Sequence, residues 1–203
     1  LAHRGGSEGA RNKVPCKNLN CENEMVDRDT LQKVDDCEML VLNNIHPRYM
    51  GKCFNVKNGE DRICLSDSQT RGNDIEIFGK KIISELYYCE KAVLFCITLS
   101  GDIDLEIGLI EKQDIEKAIM LDAVASAALE DYCDLVEKDV SEKFPDYQIT
   151  YRFSPLYGDM PINMNNDFVA VLDAERRIGV SVSESGKFTP RYSIAAVLGL
   201  KKK

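Results

Sequence analysis

An arginine, a tyrosine and a predicted turn stand close together in residues 152–159, RFSPLYGD. Arg152 carries a planar, always charged guanidinium whose N–H groups suit a carboxylate or a phosphate. Pro155 and Gly158 bracket Tyr157, which favours a tight turn with outward-facing backbone groups, and the tyrosine ring offers a π face to a cation. These residue types suit a zwitterionic ligand with an extra positive centre. The same pattern also fits a surface arginine before an ordinary strand-ending turn, because short motifs match by chance.

The sequence contains none of the common catalytic motifs. It has no nucleophile elbow G-x-S-x-G, no P-loop and no G-x-G-x-x-G after a predicted strand. His3 and His46 are its only histidines, so a histidine-based triad is not expected. We therefore assign no catalytic residue from the sequence.

The eight cysteines predict free thiols rather than a disulfide framework or a metal site. Several stand in apolar runs, where a reduced thiol behaves as a small hydrophobic group. Cys16 and Cys21 form the only close pair, whereas a zinc or iron–sulfur site needs three or four ligands at matched spacing. We therefore predict a reducing, cytoplasmic environment and no metal. A structural or redox role for the cysteines is a separate hypothesis.

The charges exclude some classes of partner. The net charge is −8, with 8 basic and 19 acidic residues in 66–150 but 8 basic and 5 acidic residues in 151–203. An acidic chain lacks the lysines and arginines that displace counterions from nucleic acid. No stretch approaches the roughly 20 apolar residues of a membrane helix, and no apolar leader follows Leu1, so neither a membrane nor a signal peptide is expected. The basic C-terminal part suits an anionic small ligand or an acidic partner.

Hydrophobic periodicity predicts an α+β domain at 29–203 after an irregular, cysteine-bearing extension at 1–28. We expect long central helices packed against a mainly antiparallel mixed sheet. Asn73 or Asp74 is the predicted cap of the second helix. The predicted helices are 29–38, 74–89, 102–110, 114–143 and 168–177, and the predicted strands are a hairpin in 48–65 and single strands at 92–99, 147–153, 178–182 and 193–200.

One polar residue interrupts the apolar seam of the long helix at 114–143. The apolar residues of this helix alternate at spacings of four and three, and Asp122 occupies a position where that pattern predicts an apolar side chain. It stands beside a run of alanines, which lets a backbone or a ligand approach closely. A hydrogen bond from Asp122 to a neighbouring loop is the favoured explanation, because most buried polar groups have structural partners.

Several blocks of the sequence, in order along the chain, are similar to a known family. They are RFSPLYGD from Arg152, LDAERRIGVSVSES from Leu172 and PRYSI from Pro190, with AVLFCITLSGDID at 92–104 and the alanine-rich 114–138 upstream. Together they resemble the activation (reactivation) domain of cobalamin-dependent methionine synthase, most closely its short stand-alone forms. The resemblance covers roughly residues 70–200 and implies the fold of that domain.

The resemblance also implies a set of ligand-binding residues. The family binds S-adenosylmethionine through an Arg-x-x-x-Gly-Tyr motif, whose arginine contacts the ligand's carboxylate. Arg152 and Tyr157 match that arginine and tyrosine, and a glutamate in the family's long helix resembles Glu130. The implied S-adenosylmethionine-binding residues are Arg152, Pro155, Leu156, Tyr157, Gly158 and Glu130.

The function implied by the resemblance is reductive reactivation. The family's domain uses S-adenosylmethionine and one electron to restore methylcobalamin from inactive cob(II)alamin. The implied partners are a cobalamin-binding methionine synthase or another corrinoid protein, which carries the cobalamin, and a flavodoxin-like or ferredoxin-like electron donor. The chain would then be an accessory component of a cobalamin-dependent methyltransferase system, which leaves open whether it is an enzyme by itself.

Two departures from the family motif support an alternative function. Leu156 replaces the motif glycine, so its side chain would interfere where a glycine lets the backbone approach a ligand. The family's further ligand-contacting tyrosine lies in a segment beyond Lys203. The alternative is a module that docks on a corrinoid protein and has lost S-adenosylmethionine binding.

Overall fold

A six-stranded antiparallel sheet with helices on both faces positions the residues singled out above. The computed structural model describes residues 28–67, 74–155 and 157–203. The helices are α1 (Arg28–Asn44), α2 (Lys80–Leu86), α3 (Asp102–Glu111), α4 (Ile115–Lys143), α5 (Met164–Leu172) and α6 (Ala174–Ile178). The strands are β1 (Arg48–Asn58), β2 (Ile63–Ser66), β3 (Ile75–Ile77), β4 (Lys91–Thr98), β5 (Tyr147–Ile149), β6 (Ser181–Val182), β7 (Phe188–Thr189) and β8 (Ser193–Lys202).

The strands of the large sheet follow the order β3-β2-β1-β4-β8-β5, and every neighbouring pair is antiparallel. The expected α+β class is confirmed, with a wholly antiparallel sheet among the described strands. β4 pairs with β8 along its whole length, from Lys91 opposite Leu200 to Thr98 opposite Ser193. β6 and β7 form a separate small hairpin.

Both faces of the central strands are buried, which explains their continuous apolar sequences. On β4, Leu94 and Cys96 face a core with α2, α5 and α6, whereas Phe95 and Ile97 face the second half of α4. A third cluster joins α1, α3 and the first half of α4, and it includes Cys37 of α1. The predicted strand at 92–99 and the short helix from Asp102 are confirmed.

The long helix begins where the sequence predicts. Asp114 is the N-cap of α4, and its side chain accepts a hydrogen bond from the backbone N–H of Lys117 at 3.0 Å. The favoured explanation for Asp122 is confirmed, because its carboxylate accepts hydrogen bonds from the hydroxyl of Tyr192 and from Nη2 of Arg191, the latter at 2.8 Å. Asp122 thus ties α4 to the start of β8.

The predicted helix at 74–89 is wrong in its first part. Ile75 and Ile77 are buried and Glu76 is exposed, the period-two pattern of the edge strand β3. Gly79 has a φ of 126°, a conformation that favours glycine, and it separates this strand from α2. Of the two predicted caps, Asn73 lies outside the described residues, and Asp74 precedes β3 rather than α2. The observed cap is Asp159, whose carboxylate accepts hydrogen bonds from the backbone N–H groups of the first two residues of α2.

The predicted strand at 147–153 forms only in part, because a bulge interrupts it. Tyr147 pairs with Lys202 and Ile149 with Leu200, a register that would bring residue 152 opposite Val197. Instead, Phe153 bridges Val197, so β5 contains one extra residue relative to β8. An extra residue exchanges the two faces of a strand. Phe153 therefore enters the α5 side of the core, and Arg152 is turned towards α4.

Two further predictions near the C-terminus need correction. The helix at 168–177 is two helices, because Asp173 adopts a left-handed conformation with φ 54° between α5 and α6. The strand predicted from residue 178 is reduced to the two residues of β6, since Ile178 still belongs to α6. The strand at 193–200 is confirmed as β8.

Most of the predicted extension at 1–28 lies outside the described residues, and α1 begins at its last residue, Arg28. None of the helices in residues 28–67, 74–155 and 157–203 combines the length and the apolar character required to span a membrane.

Candidate functional site

The segment that carries the predicted ligand residues starts at the bulge and is anchored to α4 through Arg152. The guanidinium donates hydrogen bonds to Glu130, Asp134 and Glu137, the bond to Asp134 being 3.0 Å long. The three carboxylates occupy successive turns of one face of α4, spaced four and three residues apart. Arg152 and Glu130, predicted to share a ligand, thus bind each other.

This ion cluster leaves Arg152 little capacity for a ligand. Its side chain is 23% exposed. Although burial opposes its charge, the hydrogen bonds to Glu137 and Asp134 hold the pKa of Arg152 above its ordinary value. One guanidinium faces three carboxylates, so the predicted carboxylate clamp is occupied by the protein's own acids.

Tyr157 and Gly158 lie against the start of α2. The Tyr157 ring packs edge-on against Phe153, with centroids 5.5 Å apart, and Lys81 Nζ lies 4.5 Å from its centroid. The ring predicted to accept a ligand's cation therefore already has a cation over it, a lysine of the same chain. Gly158 has φ 70°, and a Cβ at this position would lie 3.2 Å from the side chain of Lys81. Asp159 continues the segment, and hydrogen bonds from Lys80 and Lys81 N–H groups lower the pKa of its carboxyl.

Pro155 lies in a cleft of about 770 Å³ between the motif segment, α5, the β6–β7 hairpin and the start of β8. This size is within the range of ordinary small-molecule sites. Its lining residues are Ser154, Pro155, Ile162, Asn165, Gly186, Lys187, Phe188, Arg191, Ile194 and Ala195. The backbone contact between this segment and β8 ends at the bridge from Phe153 to Val197.

The charge of the cleft differs from that of the chain. Its lining contains Lys187 and Arg191 and no carboxylate, although the protein has a net charge of −8. Three other clefts lined by described residues each include at least two acidic side chains. Asp122 pairs with Arg191 from outside the lining, at 2.8 Å, so Lys187 is the cation of this cleft whose charge best attracts an anionic group.

The backbone around both cations is held in place. Asn165, at the start of α5, donates a hydrogen bond from Nδ2 to the carbonyl of Gly186 at 3.1 Å, while its buried Oδ1 has no partner among the described residues. Gly186 approaches Ile162 so closely that a Cβ would lie 2.4 Å from its side chain. The N–H of Arg191 donates to Asp104 at 2.7 Å, and burial raises the pKa of that carboxyl.

The structure thus divides the predicted residues into three groups. Pro155 lines the cleft. Arg152 and Glu130 lie in the ion cluster on α4, and Tyr157 and Gly158 lie against α2. Leu156 lies outside the described residues. Sequence reasoning gave no role to Lys187, Arg191 and Asn165; the available signals were the change from an acidic middle to a basic C-terminal part and, for Arg191, its place in the block PRYSI.

The described cysteines give no sign of a metal or redox centre. All six are free thiols, at positions 37, 53, 64, 89, 96 and 133. Burial raises the pKa of both Cys96 and Cys133 to about 12, which suppresses the reactive thiolate. Within the described ranges, no group of three or more His, Cys, Asp or Glu side chains could hold a metal ion. The pair Cys16 and Cys21 lies outside those ranges.

No family model matches the sequence, and no curated protein matches it. Among solved structures, the MetH reactivation domain bound to AdoHcy (S-adenosylhomocysteine) superposes with a TM-score of 0.70. The alignment covers 89% of this chain and 68% of the neighbour at 17% sequence identity. The resemblance seen in the sequence motifs is therefore confirmed for the fold: this chain has the fold of the methionine synthase (MetH) reactivation domain.

Proposed function

We propose that the chain binds S-adenosylmethionine in the cleft beside Pro155 and assists the reductive remethylation of cob(II)alamin on a methionine synthase or a related corrinoid protein. The observation that carries the proposal is the cationic cleft at the end of the motif segment, in the fold of a domain that was solved with AdoHcy. Apolar walls at Ile162, Phe188 and Ile194 suit an adenosyl group, and Lys187 suits a carboxylate.

The protein's contribution in this proposal is binding and orientation. A flavodoxin-like or ferredoxin-like donor supplies one electron, which reduces cob(II)alamin on the partner to cob(I)alamin. The cobalt's electron pair then forms the Co–C bond to the sulfonium methyl group, the C–S bond breaks with its electron pair kept on sulfur, and S-adenosylhomocysteine leaves. The cleft holds the methyl donor in place for that transfer.

The predicted site residues keep roles in this proposal. Ser154 and Pro155 form the edge of the cleft on which the ligand lies, and Tyr157 and Gly158 lie against the start of α2. Arg152 and Glu130 fix the start of the segment on α4. The free thiols support a reducing compartment, and we propose the cytoplasm.

Calorimetric titration of S-adenosylmethionine and S-adenosylhomocysteine into the full chain tests the proposal. We expect micromolar binding of both ligands, and remethylation of a cob(II)alamin-loaded methionine synthase only when chain, ligand and electron donor are all present. A matched control is Arg176→Ala on α6, an exposed arginine outside the cleft. Absence of binding at millimolar ligand contradicts the proposal.

A second candidate function is a corrinoid-protein docking module without a ligand site of its own. The observation in its favour is the ion cluster, because the motif arginine already has three carboxylate partners. This candidate predicts that the chain co-purifies with a corrinoid protein equally well with and without S-adenosylhomocysteine. Recovery of no corrinoid protein under either condition excludes it.

A further inference from the structure

Lys187, and in part Arg191, are better placed than the motif arginine to meet a ligand's negative group. Arg152 is 23% exposed and pairs with three carboxylates. Arg191 is 65% exposed and pairs with one, Asp122. Lys187 is exposed and makes no ion pair with any residue that the structure describes. A charged side chain that already pairs with several opposite charges gains little binding free energy from a further ion partner.

The fold brings these two cations to the same cleft. Lys187 precedes β7 and Arg191 follows it, so both flank the two-residue strand Phe188–Thr189. The bond from Asn165 to Gly186 fixes the residue before Lys187, and the bond to Asp104 fixes the backbone of Arg191. Cations on fixed backbone lose less freedom when they bind an anion.

We propose that Lys187 and Arg191 bind the carboxylate of the amino-acid moiety of the ligand, and that Arg152 acts only by positioning the segment before Pro155. This inference rests on the proposed function and deepens it, since it assigns the recognition of the ligand's amino-acid end to the β6–β7 hairpin. The ligand class that follows is an adenosyl thioether or sulfonium with a free carboxylate. An adenosyl compound without a carboxylate gains nothing from these cations.

The test compares two ligands that differ in the amino-acid moiety. S-adenosylhomocysteine and 5′-methylthioadenosine, which lacks the carboxylate, are titrated into the full wild-type chain and into Arg191→Gln and Lys187→Gln. Each variant should weaken S-adenosylhomocysteine binding about tenfold or more, the usual effect of a lost charge-assisted hydrogen bond. Binding of 5′-methylthioadenosine should not change. Lys138→Gln on α4 removes the same charge outside the cleft and is the matched control.

The outcomes separate the inference from the proposed function. If the wild-type chain does not bind S-adenosylhomocysteine, the proposed function fails and this inference fails with it. If the wild-type chain binds and both variants bind equally well, only the inference is overturned. Equal losses for the two ligands overturn it as well, because they indicate damage to the cleft rather than loss of carboxylate recognition. If Arg152→Lys is as stable as wild type but selectively loses binding of S-adenosylhomocysteine, Arg152 binds the carboxylate and the inference is overturned.

Discussion

At the scale of single residues, Arg152 contributes to stability through its three partners on α4. Replacing it by alanine leaves Glu130, Asp134 and Glu137 facing each other across one face of the helix. Because the cluster is partly exposed, the stability lost with Arg152 should lie between that of a surface ion pair and that of a buried one. We expect Arg152→Ala to lower the free energy of unfolding by about 2 kcal/mol. Urea denaturation measures this loss.

A second variant shows whether the cost arises from the unpaired charges. Glu137 has the most buried of the three carboxylates, with 23% of its side chain exposed. Adding Glu137→Gln to Arg152→Ala removes one of the repelling charges, and the double variant should recover part of the lost stability. If the double variant is less stable than Arg152→Ala alone, repulsion within the cluster is not the cause.

A close approach at Gly199 gives another prediction at this scale. A Cβ there would lie 2.6 Å from Cys89 Sγ and 2.8 Å from Leu86 Cδ2. Gly199→Ala should therefore overpack the core below α2 and lower the free energy of unfolding by about 1–3 kcal/mol. Gly108→Ala in α3 is the matched control, because its Cβ meets no atom within 4 Å. It should stabilise the helix by about 0.5–1 kcal/mol. Equal effects of the two substitutions contradict the argument.

At the scale of elements, α2 depends on a carboxylate that lies far away in the sequence. Asp159 accepts hydrogen bonds from the N–H groups of Lys80 and Lys81 at 2.7 and 3.2 Å, and these bonds lower its pKa. A depressed folded-state pKa stabilises the protein above the unfolded value, about 3.9, and this stabilisation is lost as the pH falls through the folded value. Asp159→Asn should therefore melt at a lower temperature than wild type at pH 7.

The pH dependence distinguishes this charge effect from a loss of packing. The difference in Tm between wild type and Asp159→Asn should shrink as the pH is lowered from 5 to 2, because the wild-type carboxyl becomes protonated. Thermal melts across that range measure it. A Tm difference that stays constant down to pH 2 indicates that the negative charge of Asp159 is not what stabilises α2.

Local patterns predicted some elements and not others, for identifiable reasons. α4, β4 and β8 follow from the sequence because each has a clear period or a continuous apolar run and, for α4, the cap Asp114 close by. α2 and β3 were predicted as one helix because Ile75, Phe78 and Ile82 also fit a helical spacing, and the cap that defines α2 comes from Asp159. Such long-range partners leave no local pattern.

For the same reason, only part of the candidate site could be predicted from the sequence. The motif segment with Arg152 and Pro155 is contiguous and was identified from residue types alone. The bulge after Ile149 depends on the register between β5 and β8, and it decides that Arg152 faces α4. Lys187 and Arg191 reach the cleft only through the hairpin and its bond from Asn165. No spacing in the sequence connects these residues with the motif.

At the scale of the whole molecule, the distribution of charge separates two surfaces. The acidic residues concentrate in 66–150, which includes α4 with its ion cluster, whereas the cleft is lined by cations from the C-terminal part. The overall charge of −8 repels anions at long range, but within a Debye length, about 8 Å at physiological salt, the charge of Lys187 acts locally, while Arg191 is partly neutralised by Asp122. Selection of an anionic group by the cleft is therefore a local property of the hairpin and not of the chain's net charge.

The three core clusters each contain a buried thiol, which makes their opening measurable. Cys96 lies between the sheet and α5, Cys133 between the sheet and α4, and Cys37 between α1, α3 and α4. Cys96 and Cys133 belong to elements fixed on the central strands, so they should react with iodoacetamide only through global unfolding, at one common rate. Only Cys37 and Val41 of α1 are buried, and α1 packs mainly on other helices.

We therefore expect Cys37 to be labelled faster than the other two thiols. Detachment of α1 exposes less apolar surface than unfolding of the sheet, and the local free energy of opening is correspondingly smaller. Peptide mass spectrometry after timed labelling at pH 8 reads each thiol separately, and Cys37→Ser controls for the assignment. Labelling of all three thiols at one rate would mean that α1 unfolds together with the sheet, so that the three clusters form a single cooperative core.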